Sequence, residues 1–204
     1  DKSEKALADA CRLSGREFKI NPGDGAFYGP KLDFKLRDSM NRIWQCGTIQ
    51  LDMNLPERFD LTYIDENGEK KRPVMLHRAI FGSLERFIGI ITEHYGGAFP
   101  TWLTPVQVKI IPVNNKYHLD YVNELRKIFL DQDIRVEVDD REEKLGYKIR
   151  EAQTKKIPYQ IVCGDNEVKN RVVTYRVYND SKTETISIEE FIRMIKEEID
   201  NYRN

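Results

Sequence analysis

The sequence predicts a protein of two α/β domains: an α+β segment built on a mostly antiparallel sheet, followed by a smaller α/β domain with a mixed sheet. Three observations carry this prediction. Short strand-like segments dominate the first half, whereas strands and helices alternate in the second half. A segment with two prolines, 99–105, lies between the halves and has the restricted conformation of a domain junction. We therefore expect domains at residues 1–104 and 105–204.

In the first half, apolar spacing within residues 1–16 predicts a short helix, and a loop rich in Gly and Pro follows at 21–25. Strands are predicted at 31–37, 42–52, 59–64 and 70–76. The Asn67-Gly68 pair predicts a two-residue hairpin turn, because such turns need positive φ at both positions. After Gly82-Ser83, helical spacing predicts one continuous apolar stripe, formed by Leu84, Phe87, Ile88, Ile91 and Tyr95.

The second half alternates between the two kinds of element. Strands are predicted at 106–113, 134–138, 159–163 and 171–178, and helices at 118–130 and 145–156. A last helix is predicted to begin after Ser187, because Glu190 stands at the spacing of a capping box. This pattern is typical of a small α/β domain with a mixed sheet.

Composition excludes several classes of protein. Of the 204 residues, 40% are hydrophobic, and no apolar run approaches the roughly 20 residues of a membrane-spanning helix. Three cysteines, an odd number, argue against a disulfide scaffold and for a reducing compartment, so we expect a cytoplasmic protein with no membrane partner. The start of the chain has no signal-peptide core and no initiator Met, which indicates a fragment. With a net charge of −1, any RNA partner needs a local basic patch.

The first candidate site runs from Arg78 to Arg86 through a Gly-Ser turn into a helix. Arg86 falls in the first turn of that helix, where the macrodipole disfavours a cation. A helix N-terminus together with an arginine favours a bound anion such as a phosphate. The alternative is that Arg86 forms an ion pair with Glu85 or Glu93.

The second candidate site is the strand predicted at 42–52. Strict alternation divides its side chains between two faces, with Trp44, Cys46, Thr48 and Gln50 on one and Ile43, Gln45, Ile49 and Leu51 on the other. The first face is polar enough to form the floor of a ligand-binding site. A bulge at Gly47 would instead bring Gln45 and Gln50 to the same site. The alternative is an edge strand with one solvated face.

His77 and Cys46 are residue types that bind zinc, but they stand 31 positions apart without the spacing of a zinc motif. The alternative is a hydrogen-bonded histidine and a buried thiol. The glycine-rich loop at 23–31 matches neither the dinucleotide-binding nor the Walker pattern. Tyr28 in this loop is either a core aromatic or a pocket hydroxyl.

Basic residues recur along the helix predicted at 145–156 and just before it, which suggests a patch for an RNA backbone. They are Arg141, Lys144, Lys148, Arg150, Lys155 and Lys156. Acidic residues interleave with them, so a solvated helix face is the alternative. On the strand at 171–178, Arg176 shares a face with Thr174 and Tyr178, a composition suited to an unpaired RNA base.

Five runs together resemble the threonyl-tRNA synthetase family. They are GDGAFYGPK at 23–31, WQCGTIQL at 44–51, LPERF at 55–59, HRA at 77–79 and GSLERF at 82–87. The last run resembles motif 3 of class II synthetases. The second half resembles the anticodon-binding domain that the threonyl, prolyl, histidyl and glycyl enzymes share. The resemblance thus implies the end of a class II catalytic domain followed by an anticodon-binding domain.

The resemblance implies binding of ATP with Mg²⁺, with Arg86 at the γ-phosphate and Gln45 and Ser83 on the nucleotide side. It implies threonine-binding positions at Tyr28, Cys46 and Gln50. It makes His77 one of three zinc ligands, in a family whose Zn²⁺ contacts the amino and hydroxyl groups of threonine. A site that coordinates the hydroxyl rejects valine better than an apolar pocket does.

In the second domain the resemblance implies anticodon contacts from Arg150, Glu167 and Arg176, with threonine tRNA as the partner and a homodimer in the family. Motifs 1 and 2 and the other two zinc ligands are absent from this sequence, so we expect the chain alone not to activate threonine. Two alternatives stay open: a non-catalytic RNA-binding fragment, and another class II enzyme such as the prolyl or glycyl synthetase.

Overall fold

A computed structural model describes residues 2–203 of the protein. The chain folds into two compact units, the first ending at His94 and the second beginning at Tyr95. The junction segment belongs to the second unit, where the Thr101 hydroxyl donates to Glu198 at 2.6 Å and Arg135 Nε donates to the carbonyl of Thr104 at 3.0 Å.

In the first unit, the described residues form three helices and five strands. The helices are α1 (Lys2–Leu13), α2 (Asn54–Arg58) and α3 (Leu84–His94), and the strands are β1 (Lys31–Arg37), β2 (Ile43–Asp52), β3 (Tyr63–Ile64), β4 (Lys70–Lys71) and β5 (Met75–Ala79). The antiparallel sheet predicted for this half is present, with β2 at its centre in the order β1-β2-β5. Strands β3 and β4 form a separate hairpin.

A carboxylate fixes the hairpin between β1 and β2. Asp38 accepts from Nε of Arg42 at 2.6 Å and from the Trp44 indole at 2.8 Å. Burial alone would raise the pKa of Asp38, but these hydrogen bonds and the charge of Arg42 outweigh it and lower the pKa to about 2. Arg42 also pairs with Glu93. The hairpin is thereby tied to the last turn of α3.

Three details of the first unit differ from the sequence predictions. Of the strand predicted at 59–64, only Tyr63 and Ile64 form one. The hairpin turn is not a two-residue turn, because Asp65 N–H donates to the carbonyl of Glu69 and only Gly68 has positive φ, at 77°. A three-residue loop with a glycine in the left-handed region is the next most common solution. The strand predicted at 70–76 is interrupted, and its second half continues to Ala79 as β5.

The apolar stripe predicted for α3 is present, but it is not buried. Leu84 is 64% exposed and Ile88 is 56% exposed. Within residues 2–203 no layer of the first unit covers this stripe, although exposed apolar patches of this kind usually mark a contact surface.

The second unit has the predicted mixed sheet. Its strands are β6 (Val108–Pro112), β7 (Val136–Val138), β8 (Tyr159–Cys163), β9 (Val172–Val177) and β10 (Glu184–Ser187), in the order β10-β9-β8-β6-β7. Strands β7 and β8 run parallel to β6, whereas β9 and β10 are antiparallel to their neighbours. Its helices are α4 (Asn115–Leu130), α5 (Leu145–Thr154), α6 (Asp165–Asn170) and α7 (Ile188–Asp200). The capping box of Ser187 and Glu190 is confirmed at the start of α7.

Helices α4 and α7 bury one face of this sheet. Phe191 of α7 is fully buried, and its ring lies 5.3 to 5.6 Å from those of Phe129, Tyr159 and Tyr175. Aromatic pairs at such distances add to the free energy gained by burial. The opposite face of the sheet carries polar side chains and is partly covered by α5, where Gln153 Nε2 donates to the fully buried Gln160 at 2.8 Å.

None of the helices described in residues 2–203 is both long and apolar enough to span a membrane.

Candidate functional site

A bulge in β2 decides which side chains share a face. Phe34 pairs with Gly47 and Lys35 with Gln45, so Cys46 has no partner on β1. The extra residue shifts the alternation, and Gln45 therefore lies on the same face as Thr48 and Gln50. The predicted bulge is confirmed. The strict alternation of faces is wrong, and so is the alternative of an edge strand, because β2 is central.

Asp33 orients the Gln45 side chain on this face. Gln45 Nε2 donates to Asp33 Oδ1 at 2.9 Å, and Lys31 Nζ lies 2.9 Å from Asp33 Oδ2. The hydrogen bond that Lys31 donates to Asp33 raises the pKa of Lys31. With its amide nitrogen held by Asp33, Gln45 has a carbonyl oxygen left to accept a hydrogen bond from a ligand.

The turn before α3 packs against the bulge. A Cβ at Gly82 would come within 3.1 Å of the Cys46 carbonyl oxygen, and its φ of 73° also favours glycine. The next residue, Ser83, caps the helix, with its hydroxyl accepting from Arg86 N–H at 3.3 Å. The turn thus brings the start of α3, with Ser83 and Arg86, to the backbone of Gln45.

Arg86 is exposed and makes no ion pair with any described residue. The alternative partner Glu93 is bound by Arg42, and no pair with Glu85 forms among residues 2–203. The guanidinium therefore remains available to an anion at the N-terminus of α3, where the backbone N–H groups also favour negative charge.

Tyr28 and His77 lie further along the same face. The Tyr28 hydroxyl donates to Gln50 Oε1, and the Tyr28 and His77 rings are 5.4 Å apart. Gln50 and His77 are paired across β2 and β5. Tyr28 is therefore not a core aromatic, because its hydroxyl reaches the polar face of β2. From Gln45 to Gln50 the strand spans about 15 Å at the usual rise per residue, enough for an extended ligand.

Loop 23–31 is held against β2 by a close backbone approach. A Cβ at Gly29 would overlap the carbonyl oxygen of Leu51, while Leu51 N–H donates to the carbonyl of Pro30 at 3.0 Å. Only glycine fits at position 29, because any side chain would overlap the Leu51 carbonyl oxygen. This approach positions Tyr28 over Gln50.

His77 bonds to a buried carboxylate. Its Nε2 lies 2.7 Å from Asp52 Oδ2, and Asp52 has no exposed surface. Burial alone would raise the pKa of Asp52, but the bonds from His77 and from the N–H groups of Leu55 and Asn54 lower it.

His77 fits zinc as one ligand, but it does not make a complete site. An imidazole with a carboxylate on its other nitrogen is the usual arrangement of a zinc-binding histidine. Within residues 2–203, however, no three His, Cys, Asp or Glu side chains are grouped to hold a metal. The Cys46 and His77 pair is wrong, because His77 stands opposite Gln50, roughly 10 Å or more along β2 from Cys46.

The polar face of the second unit carries Arg176. Arg176 pairs with Gln160, and Thr174 with Val162, so these side chains share the face opposite the aromatic core. The Nε atom of Arg176 is buried without a hydrogen-bond partner among the described residues. An unsatisfied buried donor of this kind costs free energy unless a ligand supplies an acceptor.

A chain of hydrogen bonds crosses three elements beside Arg176. The Thr174 hydroxyl donates to Glu167 Oε1 at 2.7 Å, and the Thr185 hydroxyl lies 2.8 Å from that of Thr174. Since Thr174 donates to the carboxylate, Thr185 must donate to Thr174. Glu167 also accepts from Gly164 N–H at 2.8 Å and is only 9% exposed.

These bonds give the second unit a defined pH dependence. Burial alone would raise the pKa of Glu167, but the hydrogen bonds from Thr174 and Gly164 lower it below its ordinary value of 4.5. The carboxylate therefore stabilises the fold above about pH 4.5, and this contribution is lost as pH falls through the lowered folded pKa.

We expect Glu167→Gln to reduce the loss of the free energy of unfolding at acid pH, measured by urea titration between pH 3 and 7. If the variant lost as much stability at acid pH as the unmodified chain, the stabilising role of the Glu167 carboxylate would be contradicted.

The predicted basic patch around α5 is largely neutralised. Arg141 pairs with Asp139 at 2.6 Å and Glu151 at 2.8 Å, and Lys155 pairs with Glu151 at 2.7 Å. Lys148 is buried. Among the described residues Arg150 is exposed and makes no ion pair. A solvated helix face describes most of this run, and Arg150 and Lys144 are exposed cations with no ion pair among the described residues.

Two family models match the chain. The model described as tRNA synthetase class II core domain (G, H, P, S and T) matches residues 4–95, and that described as anticodon binding domain matches residues 107–198. Among curated proteins, threonine–tRNA ligase of Acetivibrio thermocellus is 56% identical over 204 residues, which are 100% of this chain and 32% of that protein. Threonine–tRNA ligase of Fusobacterium nucleatum is 56% identical over 97% of this chain and 32% of its own length.

The chain belongs to the threonyl-tRNA synthetase family. Among solved structures, the RNA binding domain of threonyl-tRNA synthetase from Cryptosporidium parvum superposes with a TM-score of 0.85 at 39% identity, over 97% of this chain and 50% of that one. A putative threonyl-tRNA synthetase from Aeropyrum pernix superposes with a TM-score of 0.69 at 32% identity, over 95% and 47% of the two chains. The chain spans about a third of the length of the curated synthetases it matches.

Sequence reasoning missed the carboxylates that hold the functional side chains of this synthetase segment. Asp52 stands two positions after Gln50 on β2, and this spacing was the available signal. Asp33 gave none, because it lies on β1 and reaches Gln45 only through the pairing of β1 with β2. Thr185 gave no signal, because the strand β10 that carries it was not predicted.

Proposed function

We propose that this chain is part of a threonine–tRNA ligase, which forms threonyl-adenylate from threonine and ATP and transfers threonine to the 3′ end of its tRNA. Residues 1–104 would supply the end of the class II catalytic domain, and residues 105–204 the anticodon-binding domain. The observation that carries the proposal is the bulged strand β2, which puts Gln45 and Gln50 on one face, with the start of α3 near one and His77 beside the other.

On the nucleotide side, Arg86 would bind the γ-phosphate of ATP, assisted by Ser83 and the N-terminus of α3. Gln45, oriented by Asp33, would accept a hydrogen bond from the nucleotide. Mg²⁺ accompanies ATP in this chemistry and neutralises charge on the phosphates. Positioning and charge stabilisation are the contributions proposed for these side chains.

On the amino-acid side, Tyr28, Cys46 and Gln50 would line the threonine pocket. His77 would contribute one ligand to Zn²⁺, with the other ligands in the part of the family's length that this chain does not span. When bound, the metal would act as a Lewis acid towards the amino and hydroxyl groups of threonine. Valine lacks the hydroxyl and would be rejected.

The second unit would read the anticodon of threonine tRNA. Arg176 offers an unpartnered Nε on a polar sheet face, and Arg150 offers an unpaired cation on α5. Glu167 would contact the anticodon through the small part of its carboxylate that remains exposed. Hydrogen bonds from the Thr174 hydroxyl and Gly164 N–H hold this carboxylate in place. The whole enzyme is proposed to be a cytoplasmic homodimer.

Binding to anticodon stem-loops tests this role. We expect the chain to prefer the threonine stem-loop over the proline stem-loop at fixed low salt. Arg176→Ala should weaken binding of the threonine stem-loop by about 5- to 100-fold, the usual cost of roughly 1–3 kcal/mol for a base-reading contact. Fluorescence anisotropy with labelled stem-loops gives both affinities.

The matched control is Arg193→Ala, which removes an exposed cation from α7, a helix on the opposite face of the sheet. This variant should retain the preference. Equal binding of both stem-loops by the unmodified chain would leave only a generic RNA-binding fold and would contradict anticodon reading.

A further inference from the structure

Asp52 is a fully buried carboxylate whose two oxygens are both engaged. Its Oδ1 accepts from the backbone N–H groups of Asn54 at 2.9 Å and Leu55 at 3.0 Å, which fixes the carboxylate at the start of α2. Its Oδ2 lies 2.7 Å from Nε2 of His77. The short helix and the histidine are thus joined through one immobile side chain.

The tautomer of His77 follows from this network. An ionised carboxylate only accepts hydrogen bonds, so Nε2 of His77 must carry the proton and donate to Asp52. In the neutral ring, Nδ1 then holds the lone pair. Among the described residues Nδ1 has no hydrogen-bond partner, and the Tyr28 and His77 ring centroids are 5.4 Å apart.

We propose that Asp52 is a positioning residue that locks His77 in the Nε2-protonated tautomer and leaves Nδ1 as the electron-pair donor of the pocket. Fixing the ring and the tautomer of a ligand histidine raises its basicity and its affinity for a metal. Asp52 has no exposed surface with which to contact threonine or ATP directly. The proposal rests on the proposed function only in naming Zn²⁺ as the acceptor of the Nδ1 lone pair.

A purely structural pairing of Asp52 with His77 would behave differently. It would stabilise the loop after β2 without any dependence of ligand binding on the tautomer. The substitution Asp52→Asn separates the two roles, because the amide oxygen can still accept from the backbone N–H groups of α2. The amide nitrogen, however, donates towards His77, so the tautomer should invert to Nδ1–H.

The first measurement is the ring ¹⁵N spectrum of His77 in the 204-residue chain at pH 9, where an imidazole is neutral. We expect Nε2–H in the unmodified chain and Nδ1–H in Asp52→Asn. The matched control is Asp65→Asn, since Asp65 also accepts from two backbone N–H groups, those of Asn67 and Glu69, but lies in the β3–β4 turn. Nδ1–H in the unmodified chain would overturn the proposal even if the variant failed to fold.

The second measurement is Zn²⁺ affinity by chelator competition. It uses a full-length enzyme in which this chain replaces the matching 32% of the Acetivibrio thermocellus threonine–tRNA ligase. Asp52→Asn should weaken Zn²⁺ binding by about 10- to 100-fold, the usual effect of removing such a partner, and Asp65→Asn should not. Unchanged Zn²⁺ affinity with an inverted tautomer would overturn the proposal. If the tautomer and the Zn²⁺ affinity behaved as expected but the chain showed no stem-loop preference, only the proposed anticodon role would be contradicted.

Discussion

Replacing Arg86 with alanine is expected to lower ATP–pyrophosphate exchange by about 10²- to 10³-fold, the usual loss when one preorganised donor to developing charge is removed. The host is the same full-length enzyme, in which this chain replaces the matching third of the Acetivibrio thermocellus ligase. The reason is geometric. Arg86 stands in the first turn of α3, pairs with no carboxylate among residues 2–203, and follows the Gly82 turn that packs against the carbonyl groups of Gln45 and Cys46.

Arg58→Ala is the matched control for this prediction. Arg58 is also an exposed arginine of the first unit, and its Nε donates to Asn54 within its own short helix. Its loss should leave exchange within about twofold, since surface contacts of this kind contribute little. Equal rates for Arg86→Ala and the unmodified enzyme would remove Arg86 from the nucleotide site.

The 204-residue chain alone is expected to show no exchange at the rate of the intact enzyme. Adenylation requires positioning and charge stabilisation at the α-phosphate. The family resemblance implies that the residues for this step lie outside the sequence. Exchange by the chain at the full rate would place the whole adenylation machinery within these residues.

Local patterns predicted the elements whose signals lie within a few residues. The apolar spacing of α3 and the capping box of Ser187 are both set by neighbours in sequence, and both elements are present. Helices α2 and α6 were missed because five and six residues are too short to show a helical period.

Pairings between distant residues could not be predicted from local patterns. Asp52 and His77 are 25 positions apart, and they meet because β2 and β5 pair in one particular register. A shift of one residue would turn His77 to the other face. The bulge at Gly47 was predictable from the glycine itself, whereas the hydrogen bond from Gln45 to Asp33 depends on the register of β1.

The exposed stripe of α3 shows a different limit. Periodicity predicts that Leu84 and Ile88 share a face, and they do, but it does not identify what covers that face. A class II core model matches only residues 4–95, and the chain spans 32% of its curated relatives.

The second unit has an internal core of its own, and Phe191→Ala is expected to destabilise it by about 3–5 kcal/mol. Phe191 is fully buried and contacts Phe129, Tyr159 and Tyr175, so its removal leaves a cavity bounded by three rigid rings that close poorly around it. Native-state hydrogen exchange of the β6 and β8 amides reports the free energy of unfolding of this unit.

Tyr117→Ala serves as the comparison, because Tyr117 belongs to the same unit but is 65% exposed. Its loss should change the free energy of unfolding by no more than about 0.5 kcal/mol. Similar protection of the β6 and β8 amides in Phe191→Ala and Tyr117→Ala would mean that the aromatic cluster does not hold the sheet against α4 and α7. The polar face with Arg176 would then need another source of rigidity, because its register depends on the same strands.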